Sequence, residues 1–335
     1  MRERALPRRP KVLVSELGFG AAQGGNLYRV TTDEEFASAV DAAWEAGVRY
    51  YDTAPHYGLG LSERRLGAAL RHRPRDEYVV STKVGRLLMP SPQDAHLQDS
   101  GGFDVPASHR RVWDFSRDGV HRSIEASLER TGLDRIDIVY LHDPDDHWEW
   151  AANEAVPALI DLRDQGVVGA IGAGMNQSAM LARFVREADV DVMMCAGRYT
   201  LLEQGAADDL LPAAESRGVG VVIAGVYNSG LLSRDRPPAD AVYDYQQAPA
   251  ELIQRARRIA TVCETYGVTL PQAALAFVRR HPAVVSTVVG VRNEAQMAET
   301  VRRSEVTVPE ELWDALASAG LLAAPPGPDS AAQPN

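Results

Sequence analysis

Short apolar segments alternate with longer amphipathic segments eight times along almost the whole chain. Several of the apolar segments are nearly continuous runs, which is typical of parallel strands buried on both faces. The strand candidates are VSELGFGAA (14–22), VRYYDTA (48–54), EYVVSTKV (77–84), IDIVYLHD (136–143), VVGAIGAGM (167–175), DVMMCAG (191–197), VGVVIAGV (219–226) and VVSTVVGV (284–291). Helices are predicted near 32–46, 62–71, 118–131, 152–165, 177–187, 206–217, 250–266 and 293–303. A doubly wound open sheet would also alternate, but eight similar units without a composition break favour a closed α/β fold, the (β/α)8 TIM barrel.

The 335 residues are compatible with one barrel domain. We predict a single domain over residues 1–320, with its last helix around 309–319, followed by a mobile Pro/Ala-rich tail over 321–335. The basic start MRERALPRRP is expected to be a solvated arm, because no apolar signal-peptide segment follows it. Long loops follow the third, fourth and seventh strands, and a barrel would place all of them on its C-terminal face.

Composition excludes some classes of function. The net charge of −11 argues against nucleic-acid binding, which would require clustered basic residues. The sequence contains no uncharged apolar stretch long enough to predict a membrane span. Two cysteines do not suggest a disulfide framework, so a reducing cytoplasm is the expected location. Small molecules are the expected partners, and the sequence does not indicate an oligomeric state.

Four chemically versatile residues occupy the predicted C-terminal ends of successive strands. Asp52 ends the second strand, Tyr57 follows on its loop, Lys83 ends the third strand and His142 ends the fourth. Singly, each has a plain structural explanation, such as a loop-capping carboxylate or a core histidine. Together they fit proton transfer coupled to hydride transfer, because Lys83 would favour the Tyr57 phenolate and Asp52 would keep Lys83 protonated. His142 would orient the substrate oxygen and stabilise its developing charge.

A metal site is not predicted. His142 and Asp143 are the only close pair of a histidine and a carboxylate at a predicted strand end, and no further histidine completes a ligand set. A metal-dependent barrel hydrolase therefore has little support.

The order of six motifs resembles the aldo-keto reductase family through almost the entire chain. The motifs are GVRYYDTAPHYGLGLSERRLG, STKVG, DIVYLHD, AIGAGMN, GVYNSGLL and VVGVRNEAQMAET. DTAPHYG and YNSGLL most resemble the branch that includes D-threo-aldose 1-dehydrogenase, L-fucose dehydrogenase and pyridoxal 4-dehydrogenase. The resemblance implies a catalytic tetrad of Asp52, Tyr57, Lys83 and His142, with a nicotinamide cofactor extended across the barrel mouth.

No GxGxxG motif follows the first strand, so the residues themselves do not indicate a Rossmann-type cofactor site. The resemblance instead implies where the cofactor binds. Asn176 would hold the carboxamide, and the backbone at Asn228, Ser229 and Gly230 would approach the pyrophosphate. The segment GVRNEAQ, with Gly290, Arg292 and Gln296, would bind a phosphate at a helix N-terminus. Many NADP-dependent members carry a lysine and an arginine where this chain has Gly290 and Gln296. Their absence favours NAD, whereas Arg292 leaves NADP open.

Aromatic and polar residues in the long loops suggest a sugar substrate. His56 lies beside Tyr57, His109, Trp113 and Phe115 lie in the third loop, and Trp148 lies in the fourth; each ring could instead only anchor its loop. We expect oxidation of an aldose, of the L-fucose or D-threo-aldose type, at C1 to its lactone with Tyr57 as general base. The alternatives are an NADPH-dependent reductase of aldehydes or ketones, and a regulatory subunit that binds the cofactor without catalysis.

Overall fold

The computed structural model describes residues 1–244 and 246–322. Eight parallel strands close into a barrel in chain order, and the eighth strand pairs with the first. The strands are Leu17–Gly20, Tyr50–Asp52, Val79–Val84, Ile138–His142, Ala170–Met175, Val192–Ala196, Gly220–Ala224 and Val284–Gly290. Each observed strand lies within its predicted segment, so the predicted (β/α)8 barrel is confirmed.

Helices surround the barrel, and most of them begin within a few residues of their predicted starts. The first helix begins at a capping box in which Thr32 and Glu35 exchange hydrogen bonds, which satisfies two amide groups that the helix itself cannot pair. The helices of eight or more residues are Asp33–Glu45, Leu61–Leu70, Arg117–Thr131, Val156–Asp164, Ser178–Glu187, Leu210–Arg217, Ala250–Thr265, Leu270–Val278, Glu294–Ser304 and Glu310–Ser318. A short helix, Trp148–Trp150, lies in the fourth loop.

The helix Leu270–Val278 was not predicted. It precedes the eighth strand and packs against that strand and the helix Glu294–Ser304. The predicted seventh helix, Ala250–Thr265, contacts both the unpredicted helix and the C-terminal helix Glu310–Ser318. Seven of the nine residues of LPQAALAFV are buried and Gln272 is its one polar side chain, so the segment lacks the polar face by which a surface helix is recognised.

The N-terminal segment is not a solvated arm, which corrects that prediction. It forms an antiparallel hairpin of Glu3–Leu6 and Arg9–Ser15. Leu6 and Val14 are fully buried and belong to the same apolar cluster as the inward-facing Ile138. Three of its arginines also bind the barrel, since Arg4 donates to the Val284 carbonyl, Arg8 to the Val190 carbonyl and Arg9 to Asp191.

The long loops on the C-terminal face contain short sheets of their own. The third loop forms an antiparallel hairpin of Arg86–Pro90 and His109–Trp113, and the seventh contains Val242–Tyr243 paired with Gln246–Gln247. At the other end of the chain Leu321 is buried against the main core, so packing extends beyond the predicted domain end at 320. Most of the predicted tail, residues 323–335, lies outside the described residues. No helix in the described parts of the chain is long and apolar enough to cross a membrane.

Candidate active site

A buried ion pair lies at the C-terminal end of the second and third strands. The Lys83 ammonium donates to Asp52 Oδ1 at 2.9 Å, to Asp52 Oδ2 at 2.7 Å and to the Thr53 carbonyl at 2.9 Å. Both side chains are at most 4% exposed. Burial lowers the pKa of Lys83, but Asp52 and Tyr57 outweigh it and raise the pKa above its ordinary value. Lys83 therefore stays positively charged inside the barrel.

Tyr57 lies directly beside this pair. The Lys83 ammonium is 4.8 Å from the centre of the Tyr57 ring. Burial raises the pKa of Tyr57 to about 12, while the charge of Lys83 and its hydrogen bond to the phenol act in the opposite direction. The expected effect of Lys83 on Tyr57 is present, but burial is stronger, so the phenol is protonated in the free protein.

Two histidines complete the group of rings around Tyr57. The ring centre of His142 lies 5.9 Å from that of Tyr57 and 5.4 Å from that of His56. Burial, together with Arg86 and Lys83, holds the pKa of His142 well below its ordinary value. Burial also lowers the pKa of His56 to about 2, with Arg111 and Arg86 as further causes. Both imidazoles are neutral near pH 7, so each presents one N–H donor and one acceptor nitrogen.

Several residues at this mouth were not predicted from the sequence. Arg86 donates to Asp143 and lies 3.5 Å from Nδ1 of His56. Arg111 donates to the His56 carbonyl at 3.0 Å, and the Phe103 ring lies 5.3 Å from the His56 ring. Arg86 follows STKVG directly, which was a usable signal; the other two come from loop positions that no periodicity identifies.

The predicted substrate-contact residues are not all at the mouth. His56 is, as its contacts with Tyr57 and His142 show. Trp113 is 39% exposed, but its ring already contacts the Arg86 guanidinium at 4.3 Å and the Phe115 ring at 5.8 Å.

Two of the residues predicted to contact the substrate, Phe115 and Trp148, do not lie at the barrel mouth. Phe115 is fully buried and packs against Gly85, so a substrate cannot touch it. Trp148 packs on Phe184 at 4.6 Å and under the Arg183 guanidinium at 3.8 Å, outside the barrel. Both therefore anchor their loops, because a large ring in a long loop is stabilised most by burial. His109 lies at the far end of the third-loop hairpin, opposite Pro90, and no described contact joins it to Tyr57.

The predicted pyrophosphate loop follows the seventh strand. Asn228, Ser229 and Gly230 all have left-handed backbone, with φ of 45°, 57° and 93°. Asn228 is buried, and its amide joins two loops by accepting from Thr200 Oγ1 at 2.6 Å and donating to the Gly197 carbonyl at 3.2 Å. Ser229 and Gly230 are exposed, so their backbone is accessible from solvent while Asn228 supports the turn. Asn176 follows the fifth strand and is partly exposed.

The segment after the eighth strand is already engaged within the protein. Arg292 donates to Thr31 Oγ1 at 2.8 Å, to the Arg29 carbonyl at 3.3 Å and to the Leu27 carbonyl. Gln296 accepts from the Arg292 amide at 2.9 Å. A side chain at Gly290 would overlap the amide of Gln23.

Comparisons with known proteins agree with this architecture. Residues 16–320 match the model of the aldo/keto reductase family. The chain is 50% identical over 315 residues to a D-threo-aldose 1-dehydrogenase from a Pseudomonas species, covering 93% of this chain and 96% of that protein. It is 39% identical over 339 residues to a pyridoxal 4-dehydrogenase from Microbacterium luteolum, covering 96% and 98%.

Solved structures show the same fold. A glycerol dehydrogenase from Gluconobacter oxydans superposes with a TM-score of 0.77 at 22% identity, covering 98% of this chain and 99% of that one. The holo form of an aldo-keto reductase from Bacillus halodurans gives a TM-score of 0.72 at 24% identity, covering 95% and 96%. The chain therefore belongs to the aldo/keto reductase family and is a nicotinamide-dependent oxidoreductase.

Proposed function

We propose that this enzyme oxidises a neutral aldose at C1 to its lactone, with Tyr57 as the residue that takes the hydroxyl proton. The observation that carries the proposal is the buried pair of Asp52 and Lys83, whose ammonium lies against the Tyr57 ring. The 50% identity to a D-threo-aldose 1-dehydrogenase supports an aldose as the substrate.

Tyr57 must lose its proton for oxidation. An oxidised nicotinamide, when bound, supplies the hydride acceptor and a positive charge. The charge of Lys83, which lies 4.8 Å from the centre of the Tyr57 ring, stabilises the phenolate over the phenol. With a pKa of about 12, Tyr57 keeps its proton in the free protein and must lose it before it can accept the proton of the sugar hydroxyl.

The two neutral histidines would position the sugar. An N–H group of His142 would donate to the oxygen on C1 and stabilise the negative charge that develops there. His56 would contact a neighbouring hydroxyl. Among the described residues at the mouth, Lys83 is paired with Asp52, Arg86 with Asp143 and Arg111 with Asp99. With these cations neutralised, the mouth favours an uncharged substrate over a carboxylate.

NAD is the cofactor that the site residues favour. The Arg292 guanidinium already has three acceptors in the loop around residues 27–31, so it is not a free partner for a 2′-phosphate. Gly290 and Gln296 themselves carry no positive charge. NADP would require a cationic fork at this place.

Carbonyl reduction is the second candidate, and the raised pKa of Tyr57 favours it. A protonated phenol is ready to act as a general acid toward a carbonyl oxygen, which is the same path in reverse.

We propose the cytoplasm as the location, which the two free, buried cysteines support.

The test uses the purified protein with NAD or NADP and a substrate panel. The panel contains L-fucose, D-arabinose, L-galactose, pyridoxal and simple aldehydes, and the absorbance of the reduced nicotinamide is followed. We expect reduction of NAD with at least one neutral aldose, and at least a ~100-fold loss of turnover in Tyr57→Phe with little change in cofactor binding. Turnover only with NADPH and aldehydes would favour the reductase, and full activity of Tyr57→Phe would refute the role of Tyr57.

A further inference from the structure

Three buried hydroxyl groups extend from Asp52 into the barrel interior. Ser81 Oγ lies 2.6 Å from Asp52 Oδ1, the Tyr50 hydroxyl lies 3.1 Å from Ser81 Oγ, and the Tyr140 hydroxyl lies 3.1 Å from that of Tyr50. Ser81, Tyr50 and Tyr140 are all fully buried. The roles proposed above for Tyr57, Lys83 and the histidines use none of these hydroxyls.

The direction of these hydrogen bonds follows from counting protons. An ionised Asp52 can only accept, so the single proton of Ser81 points to it. Ser81 must then accept from Tyr50, whose one proton is thereby used. Tyr50 must in turn accept from Tyr140. All three hydroxyl protons point toward the carboxylate that holds Lys83.

We propose that Tyr140, Tyr50 and Ser81 form a directed hydrogen-bond chain that stabilises the Asp52 carboxylate and fixes it against Lys83. They are positioning residues, since none of them contacts the substrate side of Tyr57. Each bond in such a chain polarises the next, so the effect on Asp52 decreases with distance along the chain. The proposal rests on the proposed function of Tyr57 and identifies what maintains the charge beside it.

The sign of the effect on Tyr57 follows from the charges around it. Lys83, Tyr57, Tyr50 and Tyr140 are the titratable groups coupled to Asp52. The charge of Asp52 raises the pKa of Tyr57. Without the Ser81 donor, more of that negative charge acts on Tyr57, so the phenol loses its proton at higher pH.

Four further groups near Tyr57 bear on this effect. Asp143 acts on Tyr57 in the same direction as Asp52, and Arg86 acts in the opposite direction. The neutral His142 and His56 do not titrate in the relevant range. None of the four belongs to the chain, so substitutions within the chain leave their contributions in place.

The test compares the pH profiles of kcat/KM for the aldose at saturating NAD, which report the enzyme with NAD already bound. We expect Ser81→Ala to lower kcat/KM about tenfold and to move the midpoint of the profile about half a unit to higher pH. Tyr50→Phe should move it in the same direction by less, with about a twofold loss, and Tyr140→Phe by less still. In the Ser81→Ala background, Tyr50→Phe should not move the profile further, because its route to Asp52 is gone.

Tyr51→Phe is the matched control. Tyr51 is also fully buried, but its hydroxyl donates to the Val48 carbonyl at 3.1 Å and does not reach Asp52. We expect a lower Tm in this variant and an unchanged pH profile. An unshifted profile in Ser81→Ala, or an equal shift in Tyr51→Phe, would overturn the proposal.

A second measurement separates this proposal from the proposed function. The Tm losses of Ser81→Ala and Tyr50→Phe should sum to more than the loss in the double variant, whereas those of Ser81→Ala and Tyr51→Phe should add. This comparison needs no turnover, so an inactive wild-type protein would refute the proposed function and still leave the chain open to test. Additive losses for Ser81 and Tyr50 would overturn the chain.

Discussion

Substituting the two members of the buried ion pair, separately and together, should separate stability from activity. The Lys83 ammonium makes three contacts of 2.7–2.9 Å, two of them to Asp52, and its side chain is 2% exposed. Asp52→Asn leaves a buried cation without its counter-charge, and Lys83→Met leaves a buried carboxylate. Each single change should lower the free energy of unfolding by about 3–5 kcal/mol near pH 7, because an unpaired charge in the interior keeps its desolvation cost.

The double variant Asp52→Asn with Lys83→Met removes both charges. Its free energy of unfolding should lie within about 2 kcal/mol of the wild-type value, since a neutral pair of similar volume has no desolvation cost of this kind. Turnover should nevertheless stay at least ~100-fold below wild type in the double variant, as in Lys83→Met, because Tyr57 has lost the field of Lys83 in both.

The assay is urea unfolding at pH 7 beside NAD-dependent turnover. The Asp52→Asn deficit should also shrink as pH rises toward about 10, because an unpaired, buried Lys83 has a pKa below that of the unfolded chain, so stability then increases with pH. Additive losses in the double variant, or turnover that returns with its stability, would refute this account of the pair.

Three further outcomes are expected. Asp143→Asn frees the Arg86 guanidinium, so the ratio of kcat/KM for a uronic acid to that for the matching neutral aldose should rise about tenfold. The surface control Asp161→Asn should leave this ratio unchanged. Gln296→Arg adds a cation at the proposed cofactor phosphate site and should raise kcat/KM for NADP relative to NAD about tenfold; an unchanged ratio would place the 2′-hydroxyl elsewhere. Leu6→Ala should lower the free energy of unfolding by about 3 kcal/mol in urea, because Leu6 is fully buried; a loss below about 1 kcal/mol would contradict its packing against the barrel.

The barrel could be predicted because its strands carry a local signal. Strands buried on both faces are nearly continuous apolar runs, and eight of them in alternation with helical segments leave few other arrangements. Two elements lacked such a signal. The helix Leu270–Val278 is apolar on almost every side, and the apolar residues of the N-terminal hairpin are hidden among arginines. In both cases burial was decided by tertiary packing.

The centre of the site followed from the fold, whereas its rim did not. The ends of parallel strands meet at one face, so Asp52, Lys83 and His142 had to lie close together once the barrel was inferred. Arg111 reaches His56 through the pairing of the third-loop hairpin. Phe103 reaches it from the segment between the two hairpin strands, where it pairs with Leu27. No sequence pattern indicates either pairing. For the same reason the sequence could not separate Trp148, which lies outside the barrel, from rings at the mouth.

The fate of one hydrogen atom tests the proposed reaction most directly. An aldose that the enzyme accepts is prepared with deuterium at C1 and incubated with NAD, and both products are analysed by mass spectrometry and NMR. Direct transfer from C1 predicts reduced nicotinamide that carries one deuterium per turnover, together with the unlabelled lactone. Unlabelled reduced nicotinamide, or no reduction of NAD with any neutral aldose, would contradict the oxidation of an aldose at C1.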